Sequence, residues 1–413
     1  MPYLLLSWLL SISCLNVGIA QSNSHVLADT LFARQAYYKA SELYKLNLNA
    51  SDSTIKCHCW RQLAHCYSFL NDVKASESSY RSVFSNCKTG PSDFREFAKI
   101  LQRSGEYEKA KRLYASCYAA DSSDKFAYES MLFCDTINKM FDKITEVYLE
   151  NLANINSPFD DVLDDALNDT LVFVSARKSK RSDKRSLSNN QYGYSRFKWH
   201  HSEGTVMLPG QGFTTSDNET NDFYISGSFT DTSKTFDSRT VIFRYKAGDI
   251  DTKGQLFSYD NGKSMYGHPN ISSGGTMFFF VSDMPGGYGG TDIYLCRKTG
   301  TKWNAPLNLG KEINTAGNEL FPFYLGEGLL VFTSDGRPGY GGYDLYTSMM
   351  KNNSWKTAIN LGSPINSRSN DLAMRWDRVK KIFYLSSDRQ KGKGALDIYR
   401  IHNFSSANLK SIF

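Results

Sequence analysis

The chain has 413 residues, of which 41% are hydrophobic and 14% aromatic, enough apolar material for two or more folded units. Its 48 basic and 42 acidic residues give a net charge of +6, well short of the excess typical of nucleic-acid-binding domains. With seven histidines and no Cys-x-x-Cys pair, the sequence lacks the common zinc and haem signatures. We therefore expect no metal, no cofactor and no nucleic-acid partner.

The N-terminus has the features of an export signal. Residues 1–20 carry no charge, and the stretch from Tyr3 to Ser13 is rich in Leu and Ile. Small residues, Gly18 and Ala20, occupy the positions that a signal peptidase reads, so we predict a secretory signal cleaved after Ala20. Lipidation at Cys14 is the alternative. No later apolar run is long enough to span a membrane, and we expect no transmembrane span in the mature chain.

Residues 21–150 have helical spacing and internal similarity. Three tyrosines recur at intervals of 36 and 34 residues: Tyr44, Tyr80 and Tyr114. The middle unit opens with the motif Trp60-x-x-Leu63-Ala64-x-x-Tyr67, which matches the first helix of a tetratricopeptide repeat. We predict a short helical solenoid whose groove holds a protein partner, or which serves only as a spacer.

Six of the eight cysteines lie between Cys57 and Cys134. Neighbouring residues on a helix point about 100° apart, so Cys57, His58 and Cys59 cannot converge on one metal ion. Cys57 is expected near the start of one helix and Cys87 at the end of its antiparallel partner. The sequence therefore predicts a disulfide between them.

After residue 155 the apolar period changes to two. Five apolar runs end in serine at intervals of 52 to 54 residues: Ser175, Ser228, Ser282, Ser334 and Ser387. In the last three units an Asp-Ile-Tyr or Asp-Leu-Tyr strand follows a glycine-rich turn, as at Asp292, Asp344 and Asp397. Repeated units of about four short antiparallel strands are typical of propeller blades. We predict a five-bladed antiparallel β-propeller after the helical solenoid, with six blades as the alternative.

The glycine-rich segments do not predict catalysis. The segment Pro285–Gly290 leads into a strand and lacks a Lys-Ser/Thr pair, which excludes a phosphate-binding loop. No Gly-x-Ser-x-Gly pentapeptide occurs, so no hydrolase elbow is expected. The basic stretch Arg177–Arg185 is interpreted as a solvated loop or as a contact for an anionic partner.

The last unit lacks a Trp-bearing outer strand, and an open ring would expose strand edges. We expect a segment before the first blade, around residues 155–162, to supply the missing strand. The predicted organisation is a signal at 1–20, helical repeats at 21–150, a linker or closing strand at 151–165, the propeller at 166–404 and a tail at 405–413.

Together these motifs resemble a known family. The sequences Gly267-His268-Pro269, Phe280–Tyr294 and Gly317–Phe323 are similar to those of exported Bacteroidetes proteins that combine tetratricopeptide repeats with WD-like (PD40-type) propellers of the OmpA-family type. The resemblance implies a periplasmic protein, peripherally associated with the outer membrane, and one branch implies type IX secretion or gliding machinery. Members commonly continue into an OmpA-like peptidoglycan-binding domain. This sequence ends at Phe413, so we do not expect it to bind peptidoglycan.

The sequence thus predicts a non-enzymatic envelope scaffold that contacts envelope proteins through its helical groove and a propeller face, with no catalytic residues. A periplasmic propeller that binds a glycan or peptide is the alternative, and a hydrolase is a remote one.

Overall fold

The computed structural model describes residues 24–33, 36–141, 146–167, 170–177, 195–200, 204–208, 212–217, 219–230, 238–246 and 254–413. The chain divides into two compact units, residues 1–131 with 183–192, and residues 132–182 with 193–413. The predicted signal peptide, including Cys14, lies outside the described residues. Among the helices that the structure describes, none is long and apolar enough to cross a membrane.

Seven helices follow one another in the N-terminal part of the chain. They are α1 (Ser24–Ala33), α2 (Tyr37–Asn47), α3 (Ser53–Phe69), α4 (Val73–Asn86), α5 (Pro91–Arg103), α6 (Tyr107–Ala120) and α7 (Lys125–Phe141). From α1 to α6 each helix packs against the next. The predicted helical region is confirmed, whereas its identity as a tetratricopeptide solenoid stays a prediction.

Local chemistry and burial explain these helices. Asp52 accepts a hydrogen bond from the Thr54 amide at 2.7 Å, which caps the first turn of α3. The three periodic tyrosines, Tyr44, Tyr80 and Tyr114, are at most 1% exposed. Ala64 and Ala98 are fully buried, so small side chains stand where neighbouring helices meet.

Cys57 and Cys87 are joined in the structure as a disulfide, with an S–S distance of 2.08 Å. Cys57 lies in the second turn of α3, and Cys87 directly follows α4. The other described cysteines form no disulfide and are buried: Cys59, Cys66, Cys117, Cys134 and Cys296. The pairing stays a prediction for the expressed protein.

Five antiparallel sheets form a five-bladed β-propeller, as expected. Blade I contains β2 (Asp161–Leu167), β3 (Thr170–Ser175), β4 (Ser195–His200) and β5 (Gly204–Leu208). Blade II contains β6 (Thr214–Asp217), β7 (Asp222–Thr230), β8 (Ser238–Lys246) and β9 (Gln255–Leu256). Blade III contains β10 (Tyr266–Ile271), β11 (Met277–Ser282), β12 (Asp292–Thr299), β13 (Lys302–Trp303) and β14 (Leu307–Asn308). Blade IV contains β15 (Glu319–Gly326), β16 (Leu329–Ser334), β17 (Asp344–Lys351), β18 (Ser354–Trp355) and β19 (Ile359–Asn360).

Blade V is assembled from both ends of the propeller. Its strands β20 (Asp371–Asp377), β21 (Ile382–Ser387) and β22 (Asp397–His402) come from the C-terminal region, and its outer strand is β1 (Tyr148–Asn151). Tyr148 pairs with His402 and Asn151 with Tyr399 in antiparallel register. An N-terminal segment therefore closes the ring, as the sequence predicts.

The position of the closing strand differs from the expected 151–165. Residues 161–167 form the inner strand of blade I, so the propeller unit begins well before the predicted boundary at 166. The physical reason is a third copy of a motif that fixes the outer strand in blades III and IV. Asn151-Leu152-x-x-Ile155-Asn156 matches Asn308-Leu309-x-x-x-Ile313-Asn314 with one residue fewer.

The second asparagine of this motif bonds to the main chain of the blade. Asn156 Oδ1 accepts from the Ile398 amide at 2.8 Å, and Asn156 Nδ2 donates to the Ile398 carbonyl at 2.9 Å. Asn314 makes the same two bonds with Ile293 in blade III, at 2.8 and 3.0 Å. The side-chain amide thus satisfies an edge that no strand covers at this point.

The predicted tail at 405–413 contains a short helix, α8 (Ser406–Lys410). Leu409 is fully buried in a cluster with Phe383, Leu385 and Ile401. The tail therefore belongs to the core of blade V.

Buried carboxylates at the start of inner strands explain the periodic serines. Glu319 and Asp371 are fully buried at the first positions of β15 and β20. Ser334 donates to Glu319 at 2.7 Å, and Ser387 donates to Asp371 at 2.6 Å. The serine that ends the second strand therefore ties it to the first residue of the inner strand.

Substituting Asn156→Ala should lower the free energy of unfolding of the propeller by ~1–3 kcal/mol, because the buried amide of Ile398 loses its partner while the Ile398 carbonyl keeps the Leu152 amide. The measurement is denaturant unfolding of the mature chain. Asn154→Ala, an exposed neighbour, is the control and should change stability by less than ~0.5 kcal/mol. Equal effects of the two substitutions would contradict the assigned closure.

Non-reducing peptide mapping of the mature protein should recover one cross-linked pair that contains Cys57 and Cys87. In the loop-entropy estimate, replacing both by serine should cost the helical unit about 3 kcal/mol, since the bond constrains the unfolded chain. Recovery of both cysteines as free thiols would show the pairing to be wrong.

Candidate functional site on the propeller axis

Irregular pairing in the inner strands turns selected side chains toward the propeller axis. The pairing register shifts between Leu163 and Asp165 in β2, Gly267 and Asn270 in β10, Leu320 and Phe323 in β15, and Leu372 and Arg375 in β20. Such bulges re-aim side chains and are frequent beside functional sites. His268, Phe321 and Ala373 each lie two residues after the first residue of their inner strand, and Asp164 of blade I lies three residues after Asp161.

Three of these positions have left-handed backbone. The φ angles of His268, Phe321 and Ala373 are 46°, 51° and 51°. A side chain in this region costs about 1–3 kcal/mol, which the surrounding packing must offset. The common conformation shows that the bulge is a repeated feature of the blades.

Aromatic rings from blades II, III and IV meet at this level. The His268 ring stacks on Phe321 with centroids 3.9 Å apart. Phe213, which precedes β6, makes edge contacts with His268 at 5.0 Å and Phe321 at 5.1 Å. Ala373 and Leu372 of blade V belong to the same apolar cluster.

A polar group from blades I, II and V lies beside the rings. Asp164, only 2% exposed, accepts from the Thr214 amide at 2.9 Å and from the Thr214 hydroxyl at 2.7 Å. Arg375 Nε donates to the main-chain carbonyl of Asp164 at 2.6 Å. Arg196 Nη2 lies 3.9 Å from Asp164 Oδ2 and donates to the Thr214 hydroxyl at 2.9 Å. We call Asp164, Arg196, Phe213, Thr214, His268, Phe321, Ala373 and Arg375 the axial cluster.

Burial dominates the electrostatics of this cluster. Desolvation raises the pKa of Asp164 to about 6, against the opposing pull of Arg196. Desolvation, aided by the charge of Arg375, lowers the pKa of His268 to about 3. Burial also lowers the pKa of Arg375, and its favourable interactions with Asp164 and Asp165 oppose that shift. His268 is therefore neutral at physiological pH.

The axial cluster contains one carboxylate among its described residues. Hydrolysis by paired carboxylates needs two acids flanking the scissile bond. Asp164 is the one carboxylate of the described axial cluster, and Asp165, the next residue, is exposed to water. Nor does the described part of the chain place three His, Cys, Asp or Glu side chains to hold a metal ion.

Arg177, expected in a solvated loop, is 19% exposed and clamps blade I. Its Nη2 donates to Asp161 Oδ1 at 2.6 Å and to the Ile155 carbonyl at 2.8 Å. Arg389 makes the same pair of bonds to Asp371 and the Ile365 carbonyl in blade V. Residues 178–185 of the basic stretch lie outside the described residues.

Sequence reasoning did not assign the axial cluster. His268-Pro269 and Phe321-Pro322 are separated by 53 residues, and this repeat is the signal that could have located two of its members. The repeat does not mark the charged members of the cluster, which are Asp164, Arg196 and Arg375. Their proximity is therefore visible only in the folded propeller.

No family model matches the chain, and none of the curated proteins compared with it is similar. Solved structures share the fold at low identity. A GDP-Man-dependent mannosyltransferase from Leishmania mexicana is 14% identical over 66% of this chain and 94% of that chain, with a TM-score of 0.38. The β-propeller domain of the trilobed protease from Pyrococcus furiosus is 9% identical over 57% of this chain and 62% of that chain, with a TM-score of 0.31.

A puromycin-hydrolysing peptidase from Mycobacterium tuberculosis is 10% identical over 55% of this chain, with a TM-score of 0.30. The match spans only 49% of the peptidase. At these identities and TM-scores the likeness carries no argument about activity. The five-bladed β-propeller stands on the sheet order given above.

Substituting Asp164→Asn should change how stability depends on pH. The folded-state pKa lies above the ordinary value of 3.8 for an aspartate, so Asp164 favours the folded chain when protonated. That contribution, about 3 kcal/mol, is present below about pH 4 and is lost as the pH rises through about 6. Urea unfolding at pH 4 to 7.5 should show the wild type losing this stability relative to the variant. If the free energy of unfolding changes with pH by the same amount in the wild type and in Asp164→Asn, the burial of an ionisable Asp164 is contradicted.

Proposed function

We propose that the protein is a non-enzymatic scaffold of the cell envelope that holds another protein through its propeller and helical units. The observation that carries the proposal is the composition of the axial cluster. The described residues there bond and stack with one another, and their one carboxylate, Asp164, is held by the amide and the hydroxyl of Thr214. This chemistry supports recognition of a partner.

The cellular setting of the proposal rests on the sequence. The uncharged apolar N-terminus supports export to the periplasm, with peripheral association with the outer membrane and lipidation at Cys14 as the alternative anchor. The resemblance to tetratricopeptide and PD40-type proteins of the OmpA family in Bacteroidetes supports a link to type IX secretion or gliding machinery. The groove of the helical unit is the proposed second contact surface.

A propeller that binds a glycan or peptide is the second candidate function. Two groups of the axial cluster, the buried Arg375 and the half-buried His268, favour it, because each keeps a hydrogen-bond donor without a described protein partner.

Site-specific photo-crosslinking in native envelopes tests the scaffold proposal. Tyr288, in the turn between β11 and β12, is 51% exposed, and Val379, in the turn between β20 and β21, is 60% exposed. Successive turns of an antiparallel sheet lie at opposite ends of its strands, so the two positions sample opposite propeller faces. A benzophenone amino acid is introduced at Tyr288 in one protein and at Val379 in another. We expect one of the two proteins to crosslink to one discrete partner, and the other protein to serve as the matched control.

Two results would contradict the proposal. One is the absence of a discrete adduct from either face and from the exposed Tyr38 of the helical unit. The other is turnover of a glycoside or peptide substrate by the purified protein that is abolished by Asp164→Asn, since that outcome would assign catalysis to the axis.

A further inference from the structure

Arg375 is a buried guanidinium whose described hydrogen bonds do not reach a carboxylate. The residue is 2% exposed. Its Nε donates to the main-chain carbonyl of Asp164 at 2.6 Å, and its Nη1 donates to the carbonyl of Met374 at 2.9 Å. Within the residues that the structure describes, Nη2 makes no hydrogen bond. The guanidinium also lies over the Phe323 ring, with its Cζ 5.3 Å from the ring centroid. A desolvated cation whose hydrogen bonds all go to neutral carbonyls is stabilised further when an anion completes its contacts.

His268 presents a second unused donor. Its Nδ1 accepts from the Phe321 amide at 3.4 Å. The ring is neutral, because burial depresses the pKa of His268, so we assign its proton to Nε2. Nε2 has no hydrogen-bond partner among the described residues. The side chain is half-buried and therefore retains access to solvent.

The local charge balance also favours an anion. Two guanidinium groups, Arg196 and Arg375, lie around one buried carboxylate, Asp164, which Thr214 already binds through its amide and hydroxyl. Asp165 attracts both cations, but it is exposed to water and accepts from the Ala166 amide at 2.8 Å. Arg375 therefore shares the one buried carboxylate of the cluster with Arg196 and makes no direct hydrogen bond to it.

The two donors belong to the same site. The charge of Arg375 lowers the pKa of His268. The two side chains are therefore close enough to interact electrostatically in the protein interior. Phe321 links them structurally, because it stacks on His268 and packs in the cluster that contains Ala373, two residues before Arg375.

We propose that the propeller axis binds the C-terminal carboxylate of a peptide, which accepts hydrogen bonds from Arg375 Nη2 and from His268 Nε2–H. A carboxylate has two acceptor oxygens and matches two donors of this kind. The rings of Phe213 and Phe321 give the site an apolar wall beside these donors. An apolar last side chain of a peptide suits this wall better than a hydroxyl-rich sugar does. The inference goes beyond the proposed scaffold function and does not depend on it.

Isothermal titration calorimetry of the mature protein tests the inference with defined probes. The probes are acetyl-Ala-Ala-Leu with a free C-terminal carboxylate, the same peptide as its C-terminal amide, and glucuronate. We expect the free acid to bind at least ~10-fold more tightly than the amide, because a hydrogen bond to a charged group is worth ~1.5–3 kcal/mol. Glucuronate should bind more weakly than the free acid.

His268→Phe removes the donor and keeps a stacking ring, and Phe321 shows that phenylalanine is accepted at an equivalent bulge. This variant should weaken binding of the free acid ~10-fold while the protein stays folded at the assay temperature, although the Phe321 amide also loses its long contact with His268 Nδ1. Arg375→Lys should weaken it further. His402→Phe, on the outer side of blade V, is the matched control and should bind as the wild type does.

Several outcomes would overturn the inference. They are failure of the folded wild type to bind the free acid, equal binding of acid and amide, tighter binding of glucuronate, or an affinity that His268→Phe leaves unchanged. If Arg375→Lys does not fold, the His268→Phe comparison still decides the result. Loss of carboxylate binding with retained photo-crosslinking would reject this inference alone.

Discussion

The fifth blade has no outer strand of its own, and the integrity of the propeller depends on how that strand is supplied. An open ring would leave β22 with a free edge and would leave the core of blade V exposed on one side. Strand β1 covers that edge over four residue pairs, and Asn156 continues the contact where the strand ends. The first and last strands of the unit are thereby joined, which makes the blades one cooperative structure.

Within the closed ring, each blade contributes to the contacts at the axis. Asp164 and Thr214 join blades I and II, and Arg375 connects blade V to the main chain of Asp164. Blades III and IV meet through the stack of His268 on Phe321. The axial cluster is thus both an interblade joint and a source of unused donors. Both properties follow from bulges that turn inner-strand side chains away from the regular alternation.

The blade repeat was predictable because each of the last three blades contains the same short sequence motifs at a regular spacing. The apolar runs that end at Ser282, Ser334 and Ser387 form the second strands of their blades, and the serine spacing gives the blade number. The need for a closing strand also followed from the incomplete last unit. Its position was wrong by several residues because Ala153 replaces the glycine of the motif and the segment is one residue shorter.

The axial cluster could not be derived in the same way. A bulge interrupts the alternation of side chains between the two faces of a strand, and no particular residue type marks where it occurs. The alternating hydrophobic pattern of the sequence therefore does not predict which way the side chains of Asp164 and Phe321 point. The meeting of Asp164 with Arg375 joins residues far apart in the chain and depends on ring closure. Arg177 shows the same difficulty, because its neighbours in sequence indicate a solvated loop. Its partners are Ile155, which follows the closing strand, and Asp161, the first residue of β2.

A cysteine pair across the closing strand tests this account most directly. Leu149 and Ile401 are register partners in the β1–β22 pair. In the mature chain, Leu149→Cys with Ile401→Cys should form an intramolecular disulfide under mild oxidation, identified by peptide mapping. Val162→Cys with Ile401→Cys should not, since Val162 lies in the inner strand of blade I. A bond in the second pair and none in the first would contradict closure by residues 148–151.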